Sequence, residues 1–394
     1  MKTAIIGGGA AGFFLAINLK EMCPSMHVSV FEASQRVLAK VAVSGGGRCN
    51  CTNSFEGVTD LQQVYPRGHR LMKRLFNIFG PADAYRWFEQ RGVALTTQSD
   101  HCVFPRSQNA QTIINLFLSE AERLGVEVVT GRRIGCLKDL TDFDFVAVTT
   151  GGQPRTEALE WLEQPVEPPV PSLFSFSIDD DILHALMGTV VNGASAMIPA
   201  TKWRSSGPLL ITHWGMSGPC ILRLSSYAAR HLHDAGYHSP LVVNWLGLRE
   251  TEVLLLITEA VHRHPHKLIT SVSPSPALTT ALWQYLMRKA LGQRANAPWD
   301  SLNQREMNRM VNTLTNDNYL ITGRAPFKDE FVTCGGVSLK AVNSSTLESK
   351  SHPHLFFAGE VLDIDGVTGG FNFQAAWTTA FTVAKAIDDK YNIL

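Results

Sequence analysis

At 394 residues the chain has room for two or three domains and at least one large core. Its 45% hydrophobic and 18% charged residues exclude a disordered protein, and a formal charge of zero leaves no global field to recruit nucleic acid or anionic membrane. The seven cysteines are scattered and odd in number, as for free thiols in a reducing compartment, and Cys49-x-Cys51 lacks the second pair of a zinc site, so no metal is expected.

Residues 3–6 read as a buried strand running straight into Gly7-Gly8-Gly9-Ala10-Ala11-Gly12, so no secretory signal is expected at this end. A helix follows over 12–22, and a second strand over 28–31 ends at Glu32, completing a βαβ unit. Residues 70–92 and 110–124 carry helical spacing. Strands over 126–129 and 143–148 lead to Thr149-Thr150-Gly151-Gly152. Four prolines in Pro165-Val-Glu-Pro-Pro-Val-Pro171 exclude helix interior and central strand, so the chain crosses into another domain there. Short alternating strands follow, over 173–178 and 209–212 among others. Two amphipathic helices are expected over 277–291 and 301–314, the second opened by a Ser301-x-x-Gln304 capping box. The apolar run that begins at Val253 is too short to span a bilayer. From Cys334 the glycine-rich α/β texture returns, and the last helix is expected over 374–388. The organisation is a nucleotide-binding domain over 1–165, a β insert over 166–270 with helices over 271–325, and the rest of the first domain over 326–394. A cytoplasmic location is expected, with neither DNA nor membrane as a partner.

The GxGxxG spacing is met by Gly7, Gly9 and Gly12. The first glycine permits a tight turn, the second lets a pyrophosphate approach the backbone, and the third lets helix and strand pack closely. Glu32 stands twenty residues after Gly12, where a carboxylate can accept from ribose hydroxyls. The pattern suits NAD or FAD. FAD is favoured because there is one fingerprint, and because later glycine loops at 149–152, 334–337, 358–360 and 369–372 can reach a larger cofactor. Glu360 is placed to hold ribityl hydroxyls. The helix opened by GGFNFQ is placed to stabilise negative charge on a reduced flavin.

The strings GGGAAG, SGGGRCNCTN, TTGG, GPLLITHWGMSGPCIL and GEVLDIDGVTGGFNFQAAW closely resemble the BaiN-like, aminoacetone-oxidase-type family of bacterial FAD proteins, over nearly the whole chain. The resemblance implies an α/β fold: a discontinuous Rossmann-like FAD domain interrupted by a small β-barrel and a helical part. It places Gly7, Gly9, Ala10, Ala11, Gly12 and Glu32 on the ADP half of the cofactor. Gly46, Gly47, Arg48, Cys49 and Asn50 would lie near the isoalloxazine, with Thr150, Gly151, Gly359, Glu360, Gly370, Phe371 and Asn372 completing the site. It also implies an oxidoreductase: members are linked to small-amine oxidation, to reduction of steroid-like enones and to uridine reduction in ribosomal RNA. The stretch after Gly152, QPRTEALEWLEQPVEPPVP, is shorter than in many members and of different character, so substrate choice does not transfer.

The chemistry expected is hydride transfer from flavin N5 to an unsaturated acceptor, with NAD(P)H as a transient reductant because no second fingerprint exists. The substrate is a small molecule or RNA. A flavin-bound sensor is the alternative from another class. Cys49 is either a proton donor to the reduced double bond or a small packing residue. His213 in THWGMSGP is a candidate substrate contact. Its neighbour Ser217 lacks a GxSxG frame, which rules against a nucleophile. The basic segments 66–74 and 262–267 read as solvated faces before phosphate patches.

Overall fold

The computed structural model describes residues 1–325 and 332–393. The chain forms two compact units, one from Met1–Pro171 with Val332–Leu394 and the other from Ser172–Phe331. The expected return to the first domain at residue 326 falls on 326–331, outside the described residues.

The first unit is built on a five-stranded parallel sheet. Its spatial order is Leu355–Phe357, Phe145–Val148, Lys2–Ile6, His27–Phe31, Glu127–Val129. The first strand is thus central, and its carboxyl end delivers the glycine turn to the middle of the sheet. Helix Ala10–Met22 packs along the last helix, Phe371–Tyr391, through an aromatic seam. Phe14 lies 5.1 Å from Trp377 and 4.5 Å from Trp87, ring centre to ring centre. Such pairs add about 0.5–1.5 kcal/mol each beyond simple burial.

Local chemistry moves several element boundaries. The helical pattern over 70–92 is two helices, His69–Leu75 and Pro81–Gln90. Pro81 cannot continue a helix, and Asp83 caps the new one by accepting from the Gly80 amide at 2.7 Å. The capping box sits at Asn303 and Glu306, not Ser301 and Gln304: the Asn303 side chain accepts from Glu306 N at 3.0 Å, and Glu306 accepts from Asn303 N at 3.1 Å. The proline run forms a strand, Val166–Ser172, which among the described residues is paired only with Val332–Val337. A two-stranded ladder tolerates the missing amide donors of proline. The last helix begins at Phe371, three residues earlier than its apolar pattern suggests, because Gly370 at φ +88° ends the preceding loop.

The second unit holds two antiparallel sheets, of five and four strands, with helices Glu250–Arg263, Thr280–Leu291 and Gln304–Thr315 packed on one another. Strand Asp317–Ile321 follows those helices and pairs with Ser239–Asn244, tying them back into the sheet. Trp245, Trp283 and Trp299 are fully buried in this core. No helix among the described residues is long and apolar enough to cross a membrane.

Candidate cofactor site

Strand Lys2–Ile6 hands the chain to a turn whose three glycines do different things. Gly7 has φ +118°, and a Cβ there would fall 2.5 Å from the Thr149 carbonyl oxygen. A Cβ on Gly12 would fall 2.0 Å from the Gly7 carbonyl oxygen, so this glycine lets the helix close onto the strand. Gly9 meets nothing: no atom lies within 4 Å of where its Cβ would stand. Helix Ala10–Met22 has no side-chain cap and no acidic residue in its first turn. Its leading amides and positive dipole end are therefore left for an anion.

Glu32 closes this end. Its Oε2 accepts from Gly8 N at 2.9 Å and its Oε1 from Ser34 N at 2.8 Å, which holds the carboxylate over the glycine turn. Across the turn, Thr149 Oγ1 donates to the Gly7 carbonyl at 2.9 Å, and Thr150 and Gly151 follow directly. The Glu360 carboxylate faces the same segment. Its Oε1 accepts from Thr333 N at 2.9 Å and would meet a Gly152 Cβ at 2.8 Å, while its Oε2 takes Lys40 Nζ at 2.9 Å. A Cβ on Gly359 would reach Ala11 Cβ at 2.9 Å. The fingerprint helix, the 149–152 turn and the 359–360 turn are therefore one contiguous surface.

SGGGRCN completes it from the other side. Helix Ala39–Gly47 breaks at Ser44, and Gly45, Gly46 and Gly47 follow with φ of +56°, +68° and +81°. The three glycines are thus a left-handed exit from a helix, a conformation that charges every other residue a steric penalty. A Cβ on Gly45 would strike Asn50 N at 2.9 Å, whereas Gly46 has nothing within 4 Å. Arg48 lies over the Phe104 ring at 4.2 Å and donates Nε to the Gly45 carbonyl at 3.0 Å, so it braces the turn. With its amide oriented to satisfy both neighbours, Asn50 donates to Thr52 O at 2.9 Å and accepts from Gly370 N at 3.1 Å, at the start of the last helix. A Cβ on Gly370 would lie 2.2 Å from Thr52 O.

The last helix, like the first, opens on a glycine with no side-chain cap and no acid in its first turn. Two residues expected to meet the cofactor there are engaged within the protein. Asn372 makes a two-way amide pair with Gly366, 2.8 Å in each direction. The Phe371 ring meets Phe55 and Tyr65 edge-on, and its carbonyl accepts from Tyr65 OH at 2.8 Å.

Cys49 has 0% exposure and stands 3.8 Å from Cys51, sulfur to sulfur. Burial, then the hydrogen bond to Cys49, pushes the Cys51 thiol well above its usual value. His213 belongs to the second unit, exposed between the hairpin strands Leu209–Thr212 and Gly215–Ser217, with its ring 3.9 Å from Trp214. Ser217 Oγ is 2.6 Å from Ser175 Oγ.

Sequence reading passes over three contributors in the first unit. Lys40 carries no motif. Thr149 is visible only as the first residue of the 149–152 glycine loop. Arg67 lies in the basic segment read as solvated, yet its guanidinium makes a two-pronged pair with Asp365, whose side chain is fully buried. The one signal was the nearby DIDG string, in which an acid sits inside an apolar run.

The groups on this surface fit FAD: two uncapped helix starts, an open approach at Gly9 and Gly46, and carboxylates at the ends of two strands. The ribosomal RNA dihydrouridine synthase of Haemophilus influenzae (strain ATCC 51907 / DSM 11121 / KW20 / Rd) is 26% identical over 419 residues, covering 98% of each chain. The protein of the same description from Escherichia coli (strain K12) is 26% identical over 407 residues, covering 97% of this chain and 96% of its own. A 3-dehydro-bile acid delta(4,6)-reductase of Clostridium scindens is 23% identical over 417 residues and 99% of each chain. Residues 1–386 match the HI0933-like protein Rossmann domain, so the chain belongs to that BaiN-like family of FAD-dependent oxidoreductases.

Proposed function

We propose that the protein is an FAD-dependent reductase that takes hydride from NAD(P)H and reduces an activated carbon–carbon double bond, with uridine in ribosomal RNA as the substrate. The observation that carries the cofactor half is the open approach at Gly9 in front of an uncapped helix start, opposite the Glu32 carboxylate. Support for the acceptor comes from the relatives: two are described as ribosomal RNA dihydrouridine synthases and one as a 3-dehydro-bile acid delta(4,6)-reductase.

FAD, when bound, supplies a two-electron carrier between nicotinamide and acceptor. The protein's own part is binding and orientation. First-turn amides of Ala10–Met22 take the pyrophosphate, Glu32 the adenosine ribose, and Glu360 the ribityl hydroxyls. The amides opening Phe371–Tyr391 stabilise negative charge at the pyrimidine end. The brace from Arg48 to Gly45 and the bridge from Asn50 to Gly370 hold the ring-facing backbone in one arrangement.

The test is twofold. Anaerobic NADPH should bleach the yellow protein, and acid precipitation should release FAD and not FMN. Mass spectrometry of ribosomal RNA should show one dihydrouridine lost in a deletion strain and restored by the gene. An unchanged nucleoside profile would rule out the RNA substrate.

Replacing Glu32 by Ala removes a charged acceptor from the ribose, worth roughly 1.5–3 kcal/mol. Weaker FAD retention on dilution, by about ten- to a hundredfold, is expected. Occupancy equal to wild type would remove the ribose role.

Full burial favours a packing role for Cys49, with His213 left as the candidate substrate contact. Cys49→Ala should then cost roughly 1 kcal/mol of stability while the acceptor step per bound flavin stays at the wild-type rate. Stopped-flow of the two half-reactions separates the cases. A hundredfold slowing of the acceptor step alone would make Cys49 the general acid.

A further inference from the structure

The 52 residues between Asp181 and Asp234 contain no Asp or Glu. At the chain-wide frequency of 35 acids in 394 residues, such a stretch would hold about four or five. It does contain Lys202, Arg204, Arg223 and Arg230, together with four histidines. Averaging over the whole chain hides this, because the formal charge sums to zero.

The fold brings several parts of this stretch together in the second unit. Strand Arg204–Ser206 is the edge strand of the four-stranded sheet, and helix Gly218–Tyr227 packs against it. Cys220 of that helix donates Sγ to the Ser205 carbonyl at 3.5 Å, and Arg223 is one turn further along the same helical face. The next helix, Ala229–Asp234, brings His231 to Trp203, ring centres 4.9 Å apart. Lys202 and Arg204 are exposed on either side of Trp203, and neither has an ion pair or side-chain hydrogen bond among the described residues.

We infer that this face, centred on Lys202, Trp203, Arg204 and His231, docks RNA. Unpaired cations at short spacing suit successive phosphates, and aromatic rings between them offer a stacking platform that a protein or lipid partner would not need. An anionic membrane is the weaker match. Membrane docking calls for large exposed apolar side chains, and on strand Arg204–Ser206, its neighbour Ser195–Met197 and the two helices that carry the face only Met197 is of that kind. The inference rests on the RNA reading above.

The experiment uses the full FAD-loaded chain. Binding to an unmodified ribosomal RNA transcript is measured by filter retention across a salt series, with anionic phospholipid vesicles as the comparison. Lys202→Glu with Arg204→Glu should weaken RNA binding tenfold or more near 0.1 M salt. The milder Lys202→Gln with Arg204→Gln should lower the salt slope by about 1.4–1.8, as for two lost phosphate contacts. Circular dichroism and thermal melting check that both variants fold. No RNA binding by the wild type, equal binding by the variants, or tighter binding to vesicles would each overturn the inference. In the last two cases the charges serve only to keep an edge strand from pairing or to meet another surface. Nucleoside analysis keeps the two ideas apart. If the deletion strain retains all its dihydrouridine while the variants lose RNA binding, the face stands and the uridine reaction falls. If the charge-reversed gene binds RNA normally and restores dihydrouridine, the reaction stands and the face falls.

Discussion

Asp365→Ala should be among the most damaging single substitutions in the first unit, destabilising it by about 3–5 kcal/mol. The Asp365 side chain is fully buried, and both its oxygens engage the Arg67 guanidinium, which is itself mostly buried. Taking a charge out of water must be repaid by its surroundings, so deleting the carboxylate keeps the cost on Arg67 and removes its largest favourable charge, leaving the weaker pull of Asp363. The consequence is local as well as energetic. The segments around Arg67 and Asp365 run together: Val367 N donates to Val64 O at 2.9 Å, and a Gly68 Cβ would fall 2.8 Å from Ile364. That loop ends at Gly370, where the last helix opens. Melting of the holoprotein should therefore fall by roughly 6–20 °C, at about 2–4 °C per kcal/mol for a unit of this size. Replacing both partners, as Arg67→Met with Asp365→Leu, should recover part of the loss because the buried guanidinium deprived of Asp365 is gone as well. A single variant that melts within 2 °C of wild type would show the pair to be energetically idle.

What could be read before the structure was known follows from how far apart the interacting residues are. The glycine turn was legible because its constraints are local: Gly7, Gly9, Gly12 and Glu32 lie within one βαβ unit, where spacing alone implies geometry. The contacts that join the site's pieces are not local. Lys40 meets Glu360 across 320 positions, and Arg67 meets Asp365 across 298. No periodicity links such residues, Lys40 carries no motif, and Arg67 sits in a segment that reads as a solvated face. The family resemblance places Asn372 at the cofactor, and the structure adds that its side-chain amide is paired with Gly366. Short motifs mark where a loop matters, not which way each side chain turns. SGGGRCN shows the same limit. Its glycines announce unusual backbone, but the grip of Asn50 on Gly370 ties the loop to the last helix, far along the chain.

Gly9→Ala and Gly12→Ala should part company, though they differ by three residues in one motif. At Gly12 the new methyl would lie 2.0 Å from the Gly7 carbonyl oxygen and 2.9 Å from Thr149 Oγ1. The first of these is backbone and cannot swing aside, so helix and central strand must separate. Overpacking of this kind costs about 1–3 kcal/mol and more where nothing can yield, and poor expression or a lowered melting point without FAD is expected. At Gly9 the backbone has φ −91°, which alanine adopts freely, and nothing stands within 4 Å of the methyl. Losing glycine at a helix N-cap costs at most about 1 kcal/mol, so the protein should fold and melt near wild type before FAD is added. The methyl would instead occupy the path by which a pyrophosphate reaches the leading amides of Ala10–Met22. FAD affinity should fall a hundredfold or more, measured by flavin fluorescence on titration of the deflavinated chain. The pattern to look for is stability lost at Gly12 and binding lost at Gly9. Undiminished FAD affinity in a well-folded Gly9→Ala protein would mean that the open approach in front of the helix is not where the cofactor's phosphates lie.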